Sequence, residues 1–359
     1  MGSAAECPAG VDPSRLWCNV WDMRYIYSVV LLFVSGLSAA AAPPTAKLVS
    51  VNKIWDQAPH CAFTDLTFWK GQFVCAFREG RSHMSTDGRI RVLTSADGGT
   101  WASAAVVTLD GYDLRDAGLS ITPNNRLMLT GGAATRKKDG EGAATGSFVA
   151  FSDDGKTWTK PEIIIDPGHW LWRTTWHNGT SYGISYVSVR TAEADLSTQL
   201  VTSDDGRKYK PLVAKLFSEG TPTEATLRFA PDGTMYCLQR RDGKPTQRSA
   251  FLGASRPPYT KWQWHDLGKF VGGPNFIRLP SGQWVAAGRF FDGKKPSTKL
   301  ATLDVEKNTI EPILTLPSGG DTSYPGLVWH DNVLWMSYYS THEGKTSIYL
   351  AKIAVERAI

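Results

Sequence analysis

Apolar segments of strand character flank a glycine or asparagine turn at Gly71, Asn125, Gly179, Gly233, Gly282 and Asn332. The run Thr67-Phe68-Trp69-Lys70-Gly71-Gln72-Phe73-Val74-Cys75 shows the pattern, two strands joined through a tight turn, so each repeat opens with a β-hairpin. Successive turns lie 54, 54, 54, 49 and 50 residues apart. Six units of roughly fifty residues are too regular to be separate domains and are the size of propeller blades. In the first repeat a third strand, Ile90 to Thr94, and a fourth, Ala102 to Leu109, complete a four-stranded blade. The sixth repeat has Ser347 to Val355 as its third strand and then ends, whereas Ala46 to Ile54 precedes the first hairpin. That early segment can close the ring, leaving no sheet edge open. The predicted fold is all-β, a six-bladed propeller of four-stranded antiparallel blades spanning 45–359.

The turn between third and fourth strands is Ser95-Ala96-Asp97-Gly98-Gly99-Thr100-Trp101, and it recurs as Ser152-Asp153-Asp154-Gly155-Lys156-Thr157-Trp158 and, weakened, as Ser203-Asp204-Asp205-Gly206-Arg207-Lys208-Tyr209. The Asp can accept from the backbone two residues on, the Gly supplies positive φ, and the aromatic plugs the gap between blades, so the role expected is architectural. In repeats four and five the place holds Pro257-Pro258-Tyr259-Thr260-Lys261-Trp262 and Glu306-Lys307-Asn308.

Composition adds a compartment and a partner class. The 359 residues are 42% hydrophobic with 14 Trp, 12 Tyr, 14 Phe, 34 Gly and 20 Pro, a turn-rich and aromatic-rich balance suited to an all-β carbohydrate handler. The net charge of +5 forms no runs apart from Arg136-Lys137-Lys138-Asp139, which argues against nucleic acid and for a mildly basic cleft that takes an acidic glycan or glycoconjugate substrate. Residues 1–44 read as a leader: Met23-Arg24, the apolar run Tyr25 to Leu37 and Ala39-Ala40-Ala41-Ala42 make a signal peptide starting at Met23. The 22 residues before Met23 do not belong to that signal, as if an upstream start codon had been chosen. The expectation is a secreted or periplasmic monomer without stable membrane insertion. Cys7 and Cys18 fall in the leader; Cys61, Cys75 and Cys237 remain, without metal spacing or a disulfide framework, and Cys75 and Cys237 are expected to be buried. No metal and no cofactor is called for.

Counting from the turns assigns a phase to the polar residues. Seven positions after each turn come Arg78, Gly132, Tyr186, Arg240, Arg289 and Tyr339; six to nine before come Asp65, Asp116, Arg173, Glu224, Asn275 and Tyr324. These are expected to meet at one mouth of the central channel.

The three Ser-x-Asp-Gly-x-x-aromatic turns on a six-fold repeat are similar to those of the Asp-box, or BNR-repeat, sialidases. Thr223-Glu224-Ala225, Pro231-Asp232-Gly233 and Gln239-Arg240 resemble that family's glutamate strand and carboxylate-binding arginine, and Gly320-Asp321-Thr322-Ser323-Tyr324-Pro325 resembles its nucleophile segment. The resemblance implies Tyr324 as nucleophile, Glu224 as its base, and Arg240 and Arg289, with Arg78, as holders of a sialic-acid carboxylate. A neutral phenol suits an anomeric carbon that bears a carboxylate, because an anionic nucleophile would be repelled, and a phenol of pKa about 10 needs a neighbouring base. Two departures stand out. The family's arginine-isoleucine-proline segment is replaced by Phe63-Thr64-Asp65-Leu66, and its acid/base aspartate has only Asp87 as a weak match, in the loop carrying Arg78, Arg81 and His83.

Asp65, Arg115-Asp116 and Glu224 also resemble the three-carboxylate layout of furanosidase-type propellers, in which close carboxylates raise one another's pKa and Tyr324 would bind sugar. A glycan-binding propeller without catalysis is the non-enzymatic alternative. Trp170, Trp172 and Trp176 cluster where an indole could stack on a sugar, with Trp172 the preferred candidate, while His83, His169, His177 and His342 are expected to be solvated loop histidines.

Overall fold

The computed structural model describes residues 45–135, 145–165, 167–188 and 194–356. The leader, Cys7, Cys18 and the basic run at 136–139 lie outside the described residues. The described chain forms six four-stranded antiparallel sheets. Blade one runs His60–Trp69, Gln72–Gly80, Arg89–Ser95 and Ala102–Val107. Each later blade repeats this order outward from an inner strand, namely Asp113–Ile121, His169–His177, Pro222–Phe229, Gly272–Arg278 and Thr322–His330. In the sixth sheet the outer strand is Thr45–Trp55, which pairs antiparallel with Ser347–Glu356 from Thr45 opposite Glu356 to Trp55 opposite Ile348. Ring closure by the first strand of the propeller is therefore as the repeat count predicts.

The predicted inter-blade turns carry their expected bonds. Asp97 Oδ1 accepts from Gly99 N at 2.8 Å, Thr100 N at 2.9 Å and Ser95 Oγ at 3.0 Å, and Asp154 and Asp205 are bonded in the same way. Gly98 has φ of 73°, and a Cβ there would sit 2.6 Å from the Trp335 ring of blade six. Only glycine allows both the conformation and the approach. Cys61, Cys75 and Cys237 are free and buried. Among the described residues the helix present is the single turn Pro245–Gln247, and no helix is long and apolar enough to cross a membrane.

One local feature positions everything at the centre. All six inner strands slip register at the same place, two residues facing one across the ladder. The doubled pairs are Phe63-Thr64, Asp116-Ala117, Trp172-Arg173, Thr223-Glu224, Gly273-Pro274 and Tyr324-Pro325. Such a bulge bends a strand and re-aims its side chains. Four of the leading residues adopt positive φ: Phe63 at 62°, Asp116 at 56°, Gly273 at 58° and Tyr324 at 54°. For a bulky side chain this costs on the order of 1–3 kcal/mol, which the six-fold packing around it must offset.

Candidate active site

Tyr324, on the bulge of blade six, donates its hydroxyl proton to Glu224 Oε1 on the bulge of blade four. The other carboxylate oxygen, Oε2, accepts from Arg240 Nη1 at 2.6 Å and from the Gly273 backbone N–H at 2.9 Å. Arg240 is fixed in turn by Asp242, whose Oδ1 lies 2.9 Å from its Nε. Burial drives the Tyr324 phenol well above its ordinary pKa, with the charges of Glu224 and Asp116 adding to the effect and Arg240 opposing it. The phenol is therefore neutral at rest, and its hydrogen bond already points along the path by which Glu224 would take its proton.

Asp116 joins this group from the bulge of blade two. Burial pushes its carboxyl up to about 6; Arg115 opposes that rise and Glu224 reinforces it. Its Oδ1 is buried without a hydrogen-bond partner, 4.0 Å from Arg115 Nε. A strained, buried carboxyl with a raised pKa and an open oxygen has the attributes of a proton donor. Arg115 also lies over the Phe63 ring, 4.7 Å from its centre.

Arg289 enters from blade five. Its Nε donates to Thr322 O at 2.7 Å, and its Nη2 reaches Tyr339 Oη at 3.1 Å and Asp321 Oδ1 at 3.3 Å. Asp321 also accepts from Tyr339 Oη at 2.9 Å, and its Oδ2 lies 2.7 Å from His83 Nδ1 and 3.3 Å from His60 Nε2. Burial opposes its charge, but these partners hold the Asp321 carboxyl well below the usual carboxylate range. Among the described residues, His60, His83 and Asp321 are those that could hold a cation, their ligand atoms lying within 4.8 Å of one another. The 2.7 Å contact is a hydrogen-bond distance, shorter than the spacing of roughly 3 Å or more between ligands placed about 2.1 Å from one ion. The cluster is an imidazole–carboxylate network. His83 is thus no free loop histidine: it folds back onto Asp321, although its side chain remains 44% exposed. His169 and His177 lie on the inner strand of blade three, where His177 stacks on Phe229, and His342 lies within 3.0 Å of Ser340 Oγ.

Trp172 reaches the same centre, its ring edge-on to Tyr324 at 5.3 Å. Its Nε1 is buried and has no partner. Phe63 packs 5.0 Å from Tyr324, 5.0 Å from His83 and 5.5 Å from Tyr339. Trp170 is wedged over Gly132, where a Cβ would fall 1.6 Å from its ring, so it packs the blade.

Two predicted residues belong elsewhere. Arg78 has no exposed surface; its Nε donates to Asp113 at 2.7 Å and its other nitrogens to Ser82 O and to Ser85. It braces the 82–85 loop from the interior. Asp65 resumes the ladder after its bulge and so faces the layer below. There it accepts from Leu66 N at 3.0 Å, Leu119 N at 2.8 Å and Arg173 Nη1, while Arg173 Nη2 also bonds Thr64 O and Pro325 O. The cavity that Asp65 lines is shared with Ile121, Thr175, Arg228, Asn275 and Leu327, not with Tyr324, Glu224 or Asp116. Arg173 and Asn275 likewise tie blades together in this layer, Asn275 Nδ2 donating to Pro325 O at 2.9 Å. Asp87 is held by Arg81 within its own loop, at 3.2 Å. Asp242, Asp321 and Phe63 are the central residues that turn counting does not single out.

No family model and no curated protein matches this sequence. Solved structures do. A Dyadobacter fermentans protein of unknown function superposes with a TM-score of 0.75 at 20% identity, covering 88% of this chain and 100% of its own. An α-L-arabinofuranosidase from Fusarium graminearum, bound to an iminosugar inhibitor, gives 0.67 at 16% identity over 87% of this chain and 98% of that one. Trypanosoma rangeli sialidase gives 0.63 at 14% identity over 86% of this chain and 60% of that chain. Likeness at such identities establishes the fold, a propeller that these glycosidases share, and leaves the chemistry to the site.

Proposed function

We propose that the protein is an exo-acting glycoside hydrolase in which Tyr324 is the nucleophile, Glu224 its base and Asp116 the acid. The observation that carries this reading is the Tyr324–Glu224 hydrogen bond, with Arg240 clamping the same carboxylate. In the first step the phenol oxygen bonds to the anomeric carbon and its proton passes to Glu224. The glycosidic C–O bond breaks as the leaving oxygen takes the Asp116 proton. In the second, Asp116 as carboxylate draws a proton from water, the water oxygen bonds to the anomeric carbon, and Tyr324 departs with the proton held by Glu224. Two displacements return the original anomeric configuration.

The resemblance to sialidases, supported by the aspartate turns and by Arg240 and Arg289, suggests sialic acid as one substrate class. A second reading rests on the raised Asp116 carboxyl: Asp116 and Glu224 as acid and nucleophile of a two-carboxylate glycosidase, with Tyr324 binding sugar. Asp65 drops out of that set. The leader fits an exported enzyme meeting glycoconjugates outside the cytoplasm.

Turnover of aryl glycosides tests the proposal. Wild-type protein should release the aryl alcohol and the Tyr324→Phe chain should not; comparable rates in the two would exclude Tyr324 as nucleophile.

A further inference from the structure

Every guanidinium that the described residues bring to this centre already faces a carboxylate. Arg240 is bonded to Glu224 and Asp242, and Arg289 to Asp321. Arg115 lies 4.0 Å from Asp116 and 3.9 Å from Asp113, which also holds Arg78. Three arginines at the centre (115, 240, 289), with Arg78 beside them, thus meet the carboxylates of Asp113, Glu224, Asp242 and Asp321, apart from Asp116, which is assigned as the acid. The two imidazoles packed on the set, His60 and His83, both face Asp321. The phenols of Tyr186, Tyr324 and Tyr339 have pKa values driven well above their ordinary value by burial. Among the described residues an incoming carboxylate would find no unmatched arginine: at Arg240 and Arg289 it would compete with a carboxylate already hydrogen-bonded in place, and at Arg115 with two acids 3.9 and 4.0 Å away.

The position where the sialidase resemblance requires a first arginine belongs to Phe63-Thr64-Asp65. Phe63 fills the centre with an apolar ring, and Asp65 turns into the layer below. The unmet hydrogen-bonding groups have a different character. Trp172 Nε1, a donor, and Asp116 Oδ1, on the carboxyl assigned as the acid, are buried without partners, as is His60 Nδ1. Buried polar atoms left open in this way call for a ligand or water. A sugar hydroxyl both accepts and donates, so it can meet Trp172 Nε1 and either protonation state of Asp116.

We infer that the sugar taken here carries no carboxylate at its anomeric carbon: a neutral glycosyl unit whose hydroxyls meet Trp172 Nε1 and Asp116. The inference rests on the glycosidase reading of the same site, and it narrows that reading away from sialic acid. The Tyr324–Glu224–Asp116 proton path is the same for a neutral sugar.

Two measurements separate this inference from the reading beneath it. The first is kcat/KM on 4-methylumbelliferyl α-L-arabinofuranoside, α-L-fucoside and β-D-galactoside against the N-acetylneuraminic acid and glucuronic acid glycosides. The second is calorimetric binding of free arabinose, fucose, galactose and N-acetylneuraminic acid to the wild-type and Tyr324→Phe chains. A neutral glycoside should be preferred by at least about a hundredfold, as a mismatched buried charge requires, and a neutral sugar should bind ahead of the acid. Preferred turnover of the sialoside, or tighter binding of N-acetylneuraminic acid than of every neutral sugar, overturns the inference. Neutral-sugar binding without any turnover upholds it while refuting hydrolysis. No turnover and no neutral-sugar binding overturns both.

Discussion

The Tyr324 hydroxyl and the Glu224 carboxylate, 100 residues apart in sequence, meet in a hydrogen bond between blades six and four. Neither strand could present its residue without the bulge that turns it toward the axis. If the pair works as one nucleophilic unit, Tyr324→Phe and Glu224→Gln should each lower kcat by about a thousandfold or more, and the double variant by little beyond either single one. Thermal unfolding shows whether the variants stay folded. Additive losses in the double variant would mean that the two act independently.

Asp116 predicts a pH dependence. As the acid it must be protonated, so kcat/KM should fall as pH rises through about 6. Asp116→Asn should be slowest on glycosides with poor leaving groups and should lack that alkaline limb. An unchanged limb in the variant would assign the titration to another group.

The same carboxyl should make the fold less stable at high pH. Its folded pKa of about 6 lies above the ordinary 3.8, so the protonated form is favoured in the folded state. Relative to its ionised state at high pH, the protonated carboxyl contributes stability that is fully present below pH 3.8 and is lost as pH rises through 6. A shift of this size corresponds to about 3 kcal/mol. Asp116→Asn should therefore raise the melting temperature at pH 8 and leave it nearly unchanged at pH 3.5; the reverse order would show that the carboxyl is not destabilised by burial.

Arg78 and Asp65 should behave as structural residues. Removing the Arg78 side chain breaks its buried ion pair with Asp113, which costs about 3–5 kcal/mol, so Arg78→Ala should unfold far earlier in denaturant. Asp65→Asn should lower stability while activity per folded molecule, measured after active-fraction correction, stays within a few-fold of wild type. A stable Asp65→Asn chain without activity would return Asp65 to the catalytic set.

The blade count, the closing strand and the aspartate turns were legible because they recur at nearly fixed spacing. Glu224 and Tyr324 were legible because each sits in a local motif tied to a turn. Asp65 was misplaced because the two-residue bulge changes the layer a side chain faces, and no residue type in Phe63-Thr64-Asp65 announces it. Arg78 was misplaced for a related reason. In blade one the ladder closes at Trp69 opposite Gln72, whereas in blade four it closes at Phe229 opposite Met235, a longer loop. The register equivalent of Arg78 is therefore Arg241, opposite Pro222, and not Arg240. Arg241 is likewise buried, bonded to Ser249 and Asp266, whereas Arg289, at the same register opposite Gly272, reaches the centre. Asp321 escaped notice because its partners His60, His83 and Arg289 come from distant repeats.

The most direct test of the account is to trap the covalent intermediate. Once the aryl glycoside panel identifies a cleaved sugar, its activated fluoroglycosyl fluoride is incubated with the protein, which is then digested and mapped by mass spectrometry. The glycosyl mass should appear on the peptide containing Tyr324 and vanish in the Tyr324→Phe chain. Label on Glu224 instead would contradict the assignment of the nucleophile.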